Sequence, residues 1–570
     1  MAKRRGLSRI SWVRGLFLVA ILGVIVNLFI IQVIDHQKYV EQARSDHMKR
    51  FVIAARRGQI YMMDGEKAVP VVMNARVWTI FLDVMEVKDE EKAREALKEV
   101  LGLEKGLLDN AFADKSLRYY VVAKGVSREK AEMLKEKNLR GVGMSEQTVR
   151  AYVEPGLAAQ TLGFVNQDGE GQYGVEQGFN ERLAGREGYL KTVTDVNNIP
   201  LSLGDENIAE PAEDGEDIYL TIDRNVQKAL ERILAAGVER AGADRGSAIV
   251  IEAATSKVVA MANAPSYDPE KLAEVKDFMV LSNAVTTDPY EPGSVIKPFF
   301  FSAGLETGKF TTETEFDNGN GECVKVRDRW ICNFEQMWWG PRTMGFALVH
   351  SLNVGMVNGL MKMGGGEITY DACKYLYDFY HDKYGFGQST GSGVYEMPGI
   401  LISPDEESGY ETVRCANTTF GQGMTANMMQ IATAYASVVN GGVYHKPALE
   451  SEGVDVDGKR VISEETSAVM RELAIETWQS TNWWDNLREY VEIGGKTGTA
   501  EVPDGAGGYK EEETIGTYLG YVGKNGGKPQ YVIMVRVSGE NKTIRGWDHA
   551  GYTFNDIVDY MVQYKNLGVR

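Results

Sequence analysis

A run of 20 apolar residues near the N-terminus, residues 15–34, restricts the fold of this chain more than any other feature of the sequence. Only Asn27 and Gln32 interrupt it. A helix rises about 1.5 Å per residue, so a run of this length crosses the roughly 30 Å hydrocarbon core of a membrane. The run is longer than the roughly 7–15 apolar residues of a cleaved signal peptide, and no small-residue cleavage site follows it. The sequence therefore predicts an uncleaved transmembrane anchor over residues 15–34.

The charges before this anchor predict its orientation. The first 14 residues carry five basic side chains and no acidic one. Because basic segments are retained on the cytoplasmic side, we expect residues 1–14 to form a cytoplasmic tail. Everything after Asp35 would then lie on the exported side of the cell (inner or plasma) membrane. No second run of spanning length occurs, so the sequence predicts a single-pass protein.

The charge balance and the scarcity of metal ligands exclude further classes of protein. Lys and Arg number 62 against 80 Asp and Glu, a net charge of −18, whereas a general nucleic-acid binder needs a basic face. The six His and four Cys show neither HExxH nor CxxC spacing, so we expect no metal site. Cys323 and Cys332 would lie in an oxidising compartment in many organisms, where they either form a disulfide or stay buried thiols.

The exported part divides into two regions. Residues 35–215 mix short helical patterns with glycine-rich stretches, and the acidic residues 207–217 are typical of a linker. Residues 216–570 are predicted to begin and end with pairs of strands, with helices between them. The strand pairs are residues 247–252 with 257–263, and residues 515–522 with 530–537. This arrangement predicts one α/β region whose two ends meet in a single sheet.

Four short motifs in this second region compete to be the catalytic site, and the first joins Ser294 to Lys297. Side chains three residues apart share one helix face, and the preceding Pro-Gly suits a turn into a helix start that favours negative charge. Apolar neighbours would let Lys297 lose its proton and act as a base for the Ser294 hydroxyl. The same spacing at Ser127 and Lys130 has charged flanks, which indicates a solvated helix.

The second motif, Ser351 and Asn353, follows a predicted helix at a bend. Polar side chains two residues apart on a bend point to one side, so Ser351 would shuttle a proton while Asn353 holds a substrate amide. The tripeptide alone also fits a helix-capping loop. Another Ser-x-Asn, at Ser480 and Asn482, lies too close to the third motif to supply a separate wall of a site.

The third motif begins at Lys496 and is the only Lys-Thr-Gly in the chain. A phosphate-binding P-loop needs glycine five residues before the Gly-Lys pair, and Tyr490 at that position excludes it. On an edge strand, Gly498 would let a substrate backbone approach closely. The N–H of Thr499 would join that of Ser294 as an oxyanion-binding pair, and Lys496 would supply a positive charge.

The fourth motif, around Ser389, matches the G-x-S-x-G elbow of α/β-hydrolases. That elbow requires a strand before it and a helix after it, and the residues that follow Ser389 have no helical pattern. The segment is therefore interpreted as a glycine-rich surface loop.

The order Ser-x-x-Lys, Ser-x-Asn, Lys-Thr-Gly-Thr resembles that of the penicillin-binding proteins, whose motif set class A β-lactamases share. The resemblance covers nearly all of the exported chain and is to the class B, monofunctional type, most like its cell-division members because the N-terminal region is short. Met63 departs from the pattern, which usually has arginine there, and residues 546–549 do not match the usual closing sequence. Matching segments outside the motifs are Arg57-Gly58-x-Ile60, Pro155-Gly156, Gly163-Phe164, Gly174-Val175-Glu176, Leu220-Thr221-Ile222-Asp223 and Phe420-Gly421-Gln422-Gly423.

This resemblance implies a fold and a domain organisation. The fold would be the α/β (α+β) penicillin-binding transpeptidase fold, an antiparallel sheet flanked by helices. A transmembrane helix and an elongated mixed α/β pedestal would precede it. The pedestal, or dimerisation-type domain, would span residues 35–215, and the transpeptidase domain residues 216–570.

The resemblance also implies acyl transfer on the stem peptides of peptidoglycan, without a metal or organic cofactor. Ser294 would attack the D-Ala–D-Ala carbonyl while Lys297 takes its proton. Ser351 and Lys496 would pass a proton to the departing D-alanine. β-Lactams would acylate Ser294. The residues implied to bind substrate are Asn353 for the peptide amide, Thr497 and Thr499 for the terminal carboxylate, and Gly498 beside the substrate backbone.

Other functions use the same motifs and stay open at this point. They are a D,D-carboxypeptidase, a β-lactam-sensing receptor, a β-lactamase and a catalytically silent division scaffold; a β-lactamase needs neither anchor nor pedestal. The implied partners are a multi-spanning glycan polymerase and other division proteins, with no nucleic acid. Asn27 and Gln32 either hydrogen-bond across helices to such a partner or are simply tolerated polar residues.

Overall fold

The computed structural model describes residues 9–39, 48–193, 208–318, 323–334, 338–406, 411–481, 490–505 and 508–568. Two compact units contain them: Met1–Arg57 with Ala184–Glu216, and Gly58–Leu183 with Asp217–Arg570. These units are defined by contacts within the folded chain and do not test the domain limits expected from the sequence, which stay a prediction.

The α-helices are α1 (Arg9–Phe29), α2 (Glu90–Leu101), α3 (Lys105–Ala113), α4 (Arg128–Glu136), α5 (Ala159–Leu162), α6 (Gly174–Gly178), α7 (Asn180–Ala184), α8 (Arg224–Arg240), α9 (Ala284–Thr287), α10 (Lys297–Glu306), α11 (Met344–Val349), α12 (Asn353–Met363), α13 (Tyr370–Asp378), α14 (Thr412–Thr418), α15 (Met428–Val439), α16 (Glu464–Thr481) and α17 (Gly551–Tyr564).

The first unit contains the apolar helix and a small sheet. Helix α1 continues as a π-helical turn over Ile30–Ile34, and the combined span Trp12–Ile34 is long and apolar enough to cross a membrane. Among the described residues it is the one helix that meets this criterion. The sheet has antiparallel strands β1 (Met48–Ile53), β8 (Gly188–Val193) and β9 (Ile208–Glu210), with β8 in the centre.

The prediction of a linker over residues 207–217 is wrong in part. Strand β9 lies inside this segment and pairs with β8, and residue 207 lies outside the described residues. Its Pro, Gly and acidic residues suggested a solvated connection. Backbone hydrogen bonds of a three-residue strand need no apolar pattern, so the sequence carried little sign of them.

The second unit begins with a five-stranded sheet that packs against helices α2, α3 and α4. Strand β3 pairs with β2, β4 and β5, and β10 joins β2 in parallel. Side chains such as Ile80, Leu97 and Val122 form the core between this sheet and the helices. The strands are β2 (Ile60–Asp64), β3 (Lys67–Leu82), β4 (Tyr120–Val126), β5 (Val142–Tyr152) and β10 (Ile218–Asp223).

A second five-stranded sheet, antiparallel throughout, lies at the centre of residues 216–570. Its order is β12–β11–β21–β20–β19. Strand β11 comes from the start of the region and β21 from its end, and they pair directly, which confirms the predicted meeting of the two ends. The strands are β11 (Arg245–Glu252), β12 (Val258–Ala264), β19 (Val491–Pro503), β20 (Tyr509–Lys524) and β21 (Pro529–Ser538). Two-stranded sheets among the described residues pair β6 (Phe164–Val165) with β7 (Gly171–Gln172), β13 (Glu315–Asp317) with β16 (Pro341–Thr343), β14 (Cys323–Val326) with β15 (Arg329–Cys332), and β17 (Val443–Tyr444) with β18 (Lys459–Arg460).

Both faces of the central sheet are covered, which explains the continuous apolar runs of its strands. On β11, Ala248 and Val250 pack with residues of α8 and α17 on one face. Their neighbours Ile249 and Ile251 join the main core on the other face, together with α10 and α15. All residues of α15 are buried. The central sheet is therefore a rigid support for whatever its ends carry.

A buried ion pair ties the N-terminal part of the second unit together. The Arg150 Nε donates to Glu176 Oε1 at 2.8 Å, and Arg150 Nη1 donates to Asn74 Oδ1 at 2.8 Å. The side chain of Glu176 is 0% exposed and that of Arg150 is 6% exposed. Glu176 belongs to one of the segments that carry the family resemblance, and its structural role is to neutralise a buried guanidinium.

We expect Glu176→Ala to destabilise this unit by about 3–5 kcal/mol, because it leaves the Arg150 charge buried without its partner. Chemical denaturation followed by circular dichroism measures the loss. Glu99→Ala is the matched control, since Glu99 is 64% exposed in its pair with Lys137 and surface pairs contribute about 0–1 kcal/mol. Equal losses for both variants would show that burial of the Arg150 pair has no special importance.

Candidate active site

Ser294 lies on a tight turn at the start of a buried helix. The 3₁₀ turn Gly293–Ile296 runs directly into α10, with Pro298 in the first turn of that helix, as the sequence predicted. Gly293 adopts φ +59°, and its N–H donates to Gly421 O at 3.0 Å. A Cβ on Gly421 would lie 2.1 Å from Gly293 O. The loop around Gly421 therefore fixes the backbone next to Ser294.

Lys297 joins the first motif to the second. Its side chain is completely buried, and Nζ donates to Ser351 O at 2.6 Å and to Ser351 Oγ at 3.1 Å. Burial, with a smaller contribution from the charge of Lys496, lowers the pKa of Lys297 well below its ordinary value. The structure thus gives Lys297 the environment that the apolar sequence around it predicted, and Ser351 lies within hydrogen-bond distance.

Ser351 sits between α11 and α12 in an unusual backbone conformation. Its φ is +59°, in the left-handed region that residues with a side chain rarely adopt. Such strain persists only where the surroundings determine it, and it is concentrated at functional sites. Here the N–H of Ser351 donates to Leu348 O at 3.2 Å, while its carbonyl accepts from Lys297. The bend predicted from the sequence is this left-handed residue.

Asn353 is the first residue of α12 and is held by a short hairpin. Its Nδ2 donates to Cys332 O at 2.9 Å. The hairpin consists of Cys323–Val326 and Arg329–Cys332, and a disulfide between Cys323 and Cys332 closes it. The side chain of Asn333 then accepts from Val354 N at 3.0 Å, a buried bond at the N-terminus of α12, where the first N–H groups have no partner within the helix.

The role of this hairpin was missed in the sequence. The alternatives for Cys323 and Cys332 are resolved in favour of a disulfide, and a second disulfide joins Cys373 to Cys415. The spacing of the first pair across a turn gave a signal for pairing. Nothing in the sequence indicated that the carbonyl of Cys332 orients Asn353, because the two residues are 21 positions apart.

The third motif lies on β19, the edge strand of the central sheet, which confirms the predicted edge position. Lys496 is 2% exposed, and its Nζ donates to Thr497 O at 3.2 Å. Burial lowers the pKa of Lys496 to about 7. A Cβ on Gly498 would lie 3.0 Å from Val295 Cγ1 and 3.2 Å from Pro292 O. The Lys-Thr-Gly strand is therefore in contact with the turn that carries Ser294.

The segment 546–549, which the sequence could not match, covers the end of this motif. A π-helical turn over Gly546–Ala550 follows β21, and Gly546 N donates to Thr499 Oγ1 at 3.1 Å. A Cβ on Gly546 would lie 2.3 Å from Gly498 O. Only glycine allows this approach, and the contact fixes the side chain of Thr499. Thr497 is half-buried on the same strand.

His350 is a further residue of the site that the sequence analysis did not find. It directly precedes Ser351, and its ring lies 4.0 Å from that of Phe346 and 4.7 Å from that of Trp338. Partial burial and the positive charges of Lys496 and Arg342 lower the pKa of His350. The lowered pKa favours the uncharged form of the His350 ring beside Lys496 and Arg342.

The competing motifs around Ser389 and Ser127 lie outside the three-motif site, and their neighbouring side chains have structural roles. Ser389 is on an exposed loop without a following helix, and the hydroxyls of Thr390 and Ser392 donate to Glu396 Oε1 at 2.8 and 2.7 Å. Ser127 caps α4 by accepting from Lys130 N. Both observations agree with the interpretations from the sequence. Of the alternative Ser-x-Asn, Asn482 lies outside the described residues.

The burial of Lys496 gives a pH-dependent cost to folding. Its pKa is about 7 in the folded chain and about 10.4 when unfolded, so between these values the unfolded state binds more protons. The free energy of unfolding therefore increases as pH rises from about 7 towards about 10.4, and it decreases again as pH falls back to about 7. We expect Lys496→Met to be more stable than the unaltered chain at pH 7, by a difference that shrinks by up to about 1.4 kcal/mol per pH unit towards pH 10.

Denaturant titrations at pH 7, 8 and 9 measure this difference. Lys130→Met is the control, because Lys130 is exposed on α4 and its replacement should give a difference that does not change over this range. A constant difference for Lys496→Met as well would contradict the lowered pKa.

Comparison with known proteins agrees with this architecture. The model of the penicillin-binding protein transpeptidase domain matches residues 246–559, and that of the penicillin-binding protein dimerisation domain matches residues 52–220. Stage V sporulation protein D of Bacillus subtilis is 28% identical, over 94% of this chain and 83% of its own length. The probable peptidoglycan D,D-transpeptidase PenA of Neisseria meningitidis is 26% identical, over 93% of this chain and 88% of its own length.

The solved structures give the same fold. Penicillin Binding Protein 2X from Streptococcus thermophilus superimposes with a TM-score of 0.68, at 22% identity, over 90% of this chain and 81% of that one. The predicted α/β fold, with an antiparallel sheet flanked by helices and preceded by a pedestal and one apolar helix, is confirmed. The chain belongs to the class B penicillin-binding proteins, with a transpeptidase domain that follows a dimerisation domain.

Proposed function

We propose that this protein is a serine-type peptidoglycan D,D-transpeptidase that cross-links stem peptides through an acyl-enzyme on Ser294. The observation that carries this proposal is the buried contact between Lys297 and Ser351 beside the turn of Ser294. The transpeptidase domain match and relatives named as D,D-transpeptidases support it. The same chemistry would make β-lactams, which resemble the scissile peptide, covalent inhibitors of the enzyme.

In the first step Ser294 Oγ attacks the carbonyl of the penultimate D-alanine. Lys297, whose lowered pKa favours the neutral amine, accepts the hydroxyl proton as the O–C bond forms. The carbonyl oxygen becomes an oxyanion, and the N–H groups of Ser294 and Thr499 are the donors proposed for it. One such donor changes the rate by about 10²–10³.

In the second step the C–N bond to the terminal D-alanine breaks and its amine takes up a proton. Ser351 Oγ lies 3.1 Å from Lys297 Nζ, so the proton that Lys297 received can pass through the Ser351 hydroxyl to the leaving amine. Lys496, on the neighbouring strand, would assist this transfer by its charge. An amine from a second stem peptide then attacks the ester carbonyl and loses its proton to Lys297. As the ester C–O bond breaks, Lys297 returns this proton to Ser294 Oγ, which restores the free serine.

Substrate binding follows from the geometry of the remaining motif residues. The Nδ2 group of Asn353 is used by Cys332 O, which directs Oδ1 to accept from a peptide N–H. Thr497 and Thr499 supply hydroxyls for the terminal carboxylate, and Lys496 supplies positive charge. Gly498 leaves the strand edge open to the backbone of the stem peptide.

The apolar helix supports a place for the enzyme at the cell membrane. We propose a single-pass anchor with the N-terminus in the cytoplasm and the catalytic region on the exported side. A role in septal wall synthesis, with a multi-spanning glycan polymerase and division proteins as partners, is the cellular function we favour. A relative named for sporulation makes depletion in dividing cells the informative test, since a block in septation would separate this role from one in sporulation.

We expect a fluorescent penicillin to form a long-lived adduct on Ser294 that Ser294→Ala abolishes. Peptide mass spectrometry of the labelled chain locates the adduct, and Ser389→Ala should label as the unaltered chain does. An adduct on Ser389 would overturn the assignment. Rapid loss of label would indicate a β-lactamase, and a folded chain that takes up no label would favour a silent scaffold.

Analysis of the products formed from a stem-peptide substrate then separates cross-linking from carboxypeptidase hydrolysis.

We expect Gly498→Ala to slow acylation by about 10–100-fold, because a misplacement of about 1 Å at a reacting group has costs of this order. The added methyl would meet Val295 Cγ1 at 3.0 Å, so the double variant with Val295→Ala should recover part of the rate. Stopped-flow acylation measures both. Gly453→Ala is the control, since a Cβ there meets no atom within 4 Å. Absence of any rescue would mean that the strand and the turn do not meet as described.

A further inference from the structure

A cavity of about 400 Å³ lies in the second unit, and none of its lining residues belongs to the three motifs. Its walls come from the segment around α6, from the 3₁₀ turn Phe278–Leu281, from α9 and from the loop that includes Tyr395. The volume is within the range of small-molecule sites, roughly 300–1,000 Å³. The lining residues are Thr161, Gln172, Tyr173, Gly174, Gln177, Met261, Met279, Ser282, Asn283, Thr286, Thr287, Val394, Tyr395 and Met397.

None of the described residues that line the cavity is charged, although a quarter of the chain is charged. It consists of amides, hydroxyls, two tyrosines and three methionines. The side chains of Gln172, Gln177, Tyr173 and Tyr395 make no hydrogen bond to another residue of the described chain. This combination of neutral hydrogen-bonding groups with aromatic and thioether surfaces suits a ligand that is polar at its rim and apolar on its faces, and it disfavours an ion.

The backbone at Tyr173 gives a second, independent sign of function. Tyr173 has φ +59° and ψ +166°, a region that residues with a side chain almost never occupy. Its neighbour is fixed by packing, since a Cβ on Gly174 would lie 2.2 Å from Thr161 O. The chain therefore maintains a strained conformation that presents the ring of Tyr173 to the cavity. Strain of this kind is an expected property of a binding site.

The mouth of the cavity exposes groups that ordinary folding would bury. Met279 is 63% exposed, Tyr395 is 61% exposed and Met397 is 44% exposed. A pyranose ring has C–H faces that pack on such surfaces, with hydroxyls around its edge that need neutral donors and acceptors. An acetamido substituent is matched in particular by the side-chain amides of Gln172 and Gln177, because each amide donates and accepts.

We propose that this cavity binds an uncharged, N-acetylated amino-sugar unit, namely the glycan strand to which the stem peptides are attached. This inference rests on the proposed function, which makes peptidoglycan the substrate. The cavity would hold the strand while its peptide reaches Ser294. Binding by the cavity uses none of the residues of the three motifs, so it can be tested apart from catalysis.

The test uses the full chain in lipid nanodiscs, which avoid sugar-based detergents. Chitohexaose, an N-acetylated β-linked hexasaccharide, is the probe, and maltohexaose, which lacks acetamido groups, is its matched control. Saturation-transfer NMR and calorimetry report binding. The variants are Tyr395→Ala and Gln177→Ala, both at exposed positions. Tyr119→Ala is the control for loss of a surface tyrosine, because Tyr119 is 60% exposed and is not among the lining residues of the cavity.

We expect chitohexaose to bind and maltohexaose to bind at least about tenfold more weakly. Each cavity variant should weaken chitohexaose binding by about five- to tenfold, as loss of one or two hydrogen bonds or a stacking contact would, while Tyr119→Ala should leave it unchanged. Penicillin labelling of Ser294 in the same samples should be equal for all variants, which verifies their fold.

Three results would overturn the inference. They are absence of chitohexaose binding to a chain that labels on Ser294, binding that both cavity variants leave unchanged, and binding that disappears when Ser294 is acylated, which would locate the sugar in the catalytic cleft. The first of these leaves the proposed function intact. Conversely, a chain that binds chitohexaose without labelling on Ser294 would overturn the proposed function and leave a glycan-binding protein.

Discussion

The burial of the Lys297 amine is the constraint on which the rest of the site depends. An amine without solvent needs polar partners, and here the carbonyl and hydroxyl of Ser351 supply them. To present both groups to one nitrogen, Ser351 takes a left-handed backbone between two helices. The contact spans 54 positions of the chain, so it also holds α10 against the α11–α12 corner. The same hydrogen-bonded amine therefore has a lowered pKa and connects helices α10, α11 and α12.

The central sheet is a rigid support for the Lys297–Ser351 contact, and its edge strand β19 carries the Lys-Thr-Gly motif. Strands β11 and β21 are covered on both faces, whereas β19 has a free edge in the described sheet. Exposed strand edges tend to recruit other strands and are usually protected. Here the π-helical turn at Gly546 and the turn of Ser294 contact the strand at Gly498. These contacts cover part of the strand edge and leave less of it open to pairing with another chain.

The sequence could predict the features that depend on local pattern. The apolar runs at both ends of residues 216–570 predicted strands, and their continuity reflects a sheet buried on both faces. Pro298 predicted where α10 begins, whereas Ser294, expected on one helix with Lys297, lies on the 3₁₀ turn that precedes it. Tyr490 and the segment after Ser389 correctly excluded two competing motifs. In each case the evidence lay within about ten residues of the feature.

Features that depend on contacts between distant segments could not be predicted in this way. Cys373 and Cys415 are 42 positions apart, and no local pattern pairs them. Strand β10 (Ile218–Asp223) opens the region 216–570, yet it joins β2 in the N-terminal sheet, more than 150 positions away. Asn353 is oriented by one backbone carbonyl, Cys332 O, and Thr499 is fixed by one backbone N–H, that of Gly546. Sequence patterns carry almost no information about such atoms.

The lowered pKa of Lys496 couples binding at this site to solvent protons. With a pKa of about 7, Lys496 titrates near neutral pH, and a carboxylate in the cleft favours its charged form. Binding of an anionic ligand must then draw a fraction of a proton from the buffer. The measured enthalpy of binding would accordingly vary with the ionisation heat of that buffer.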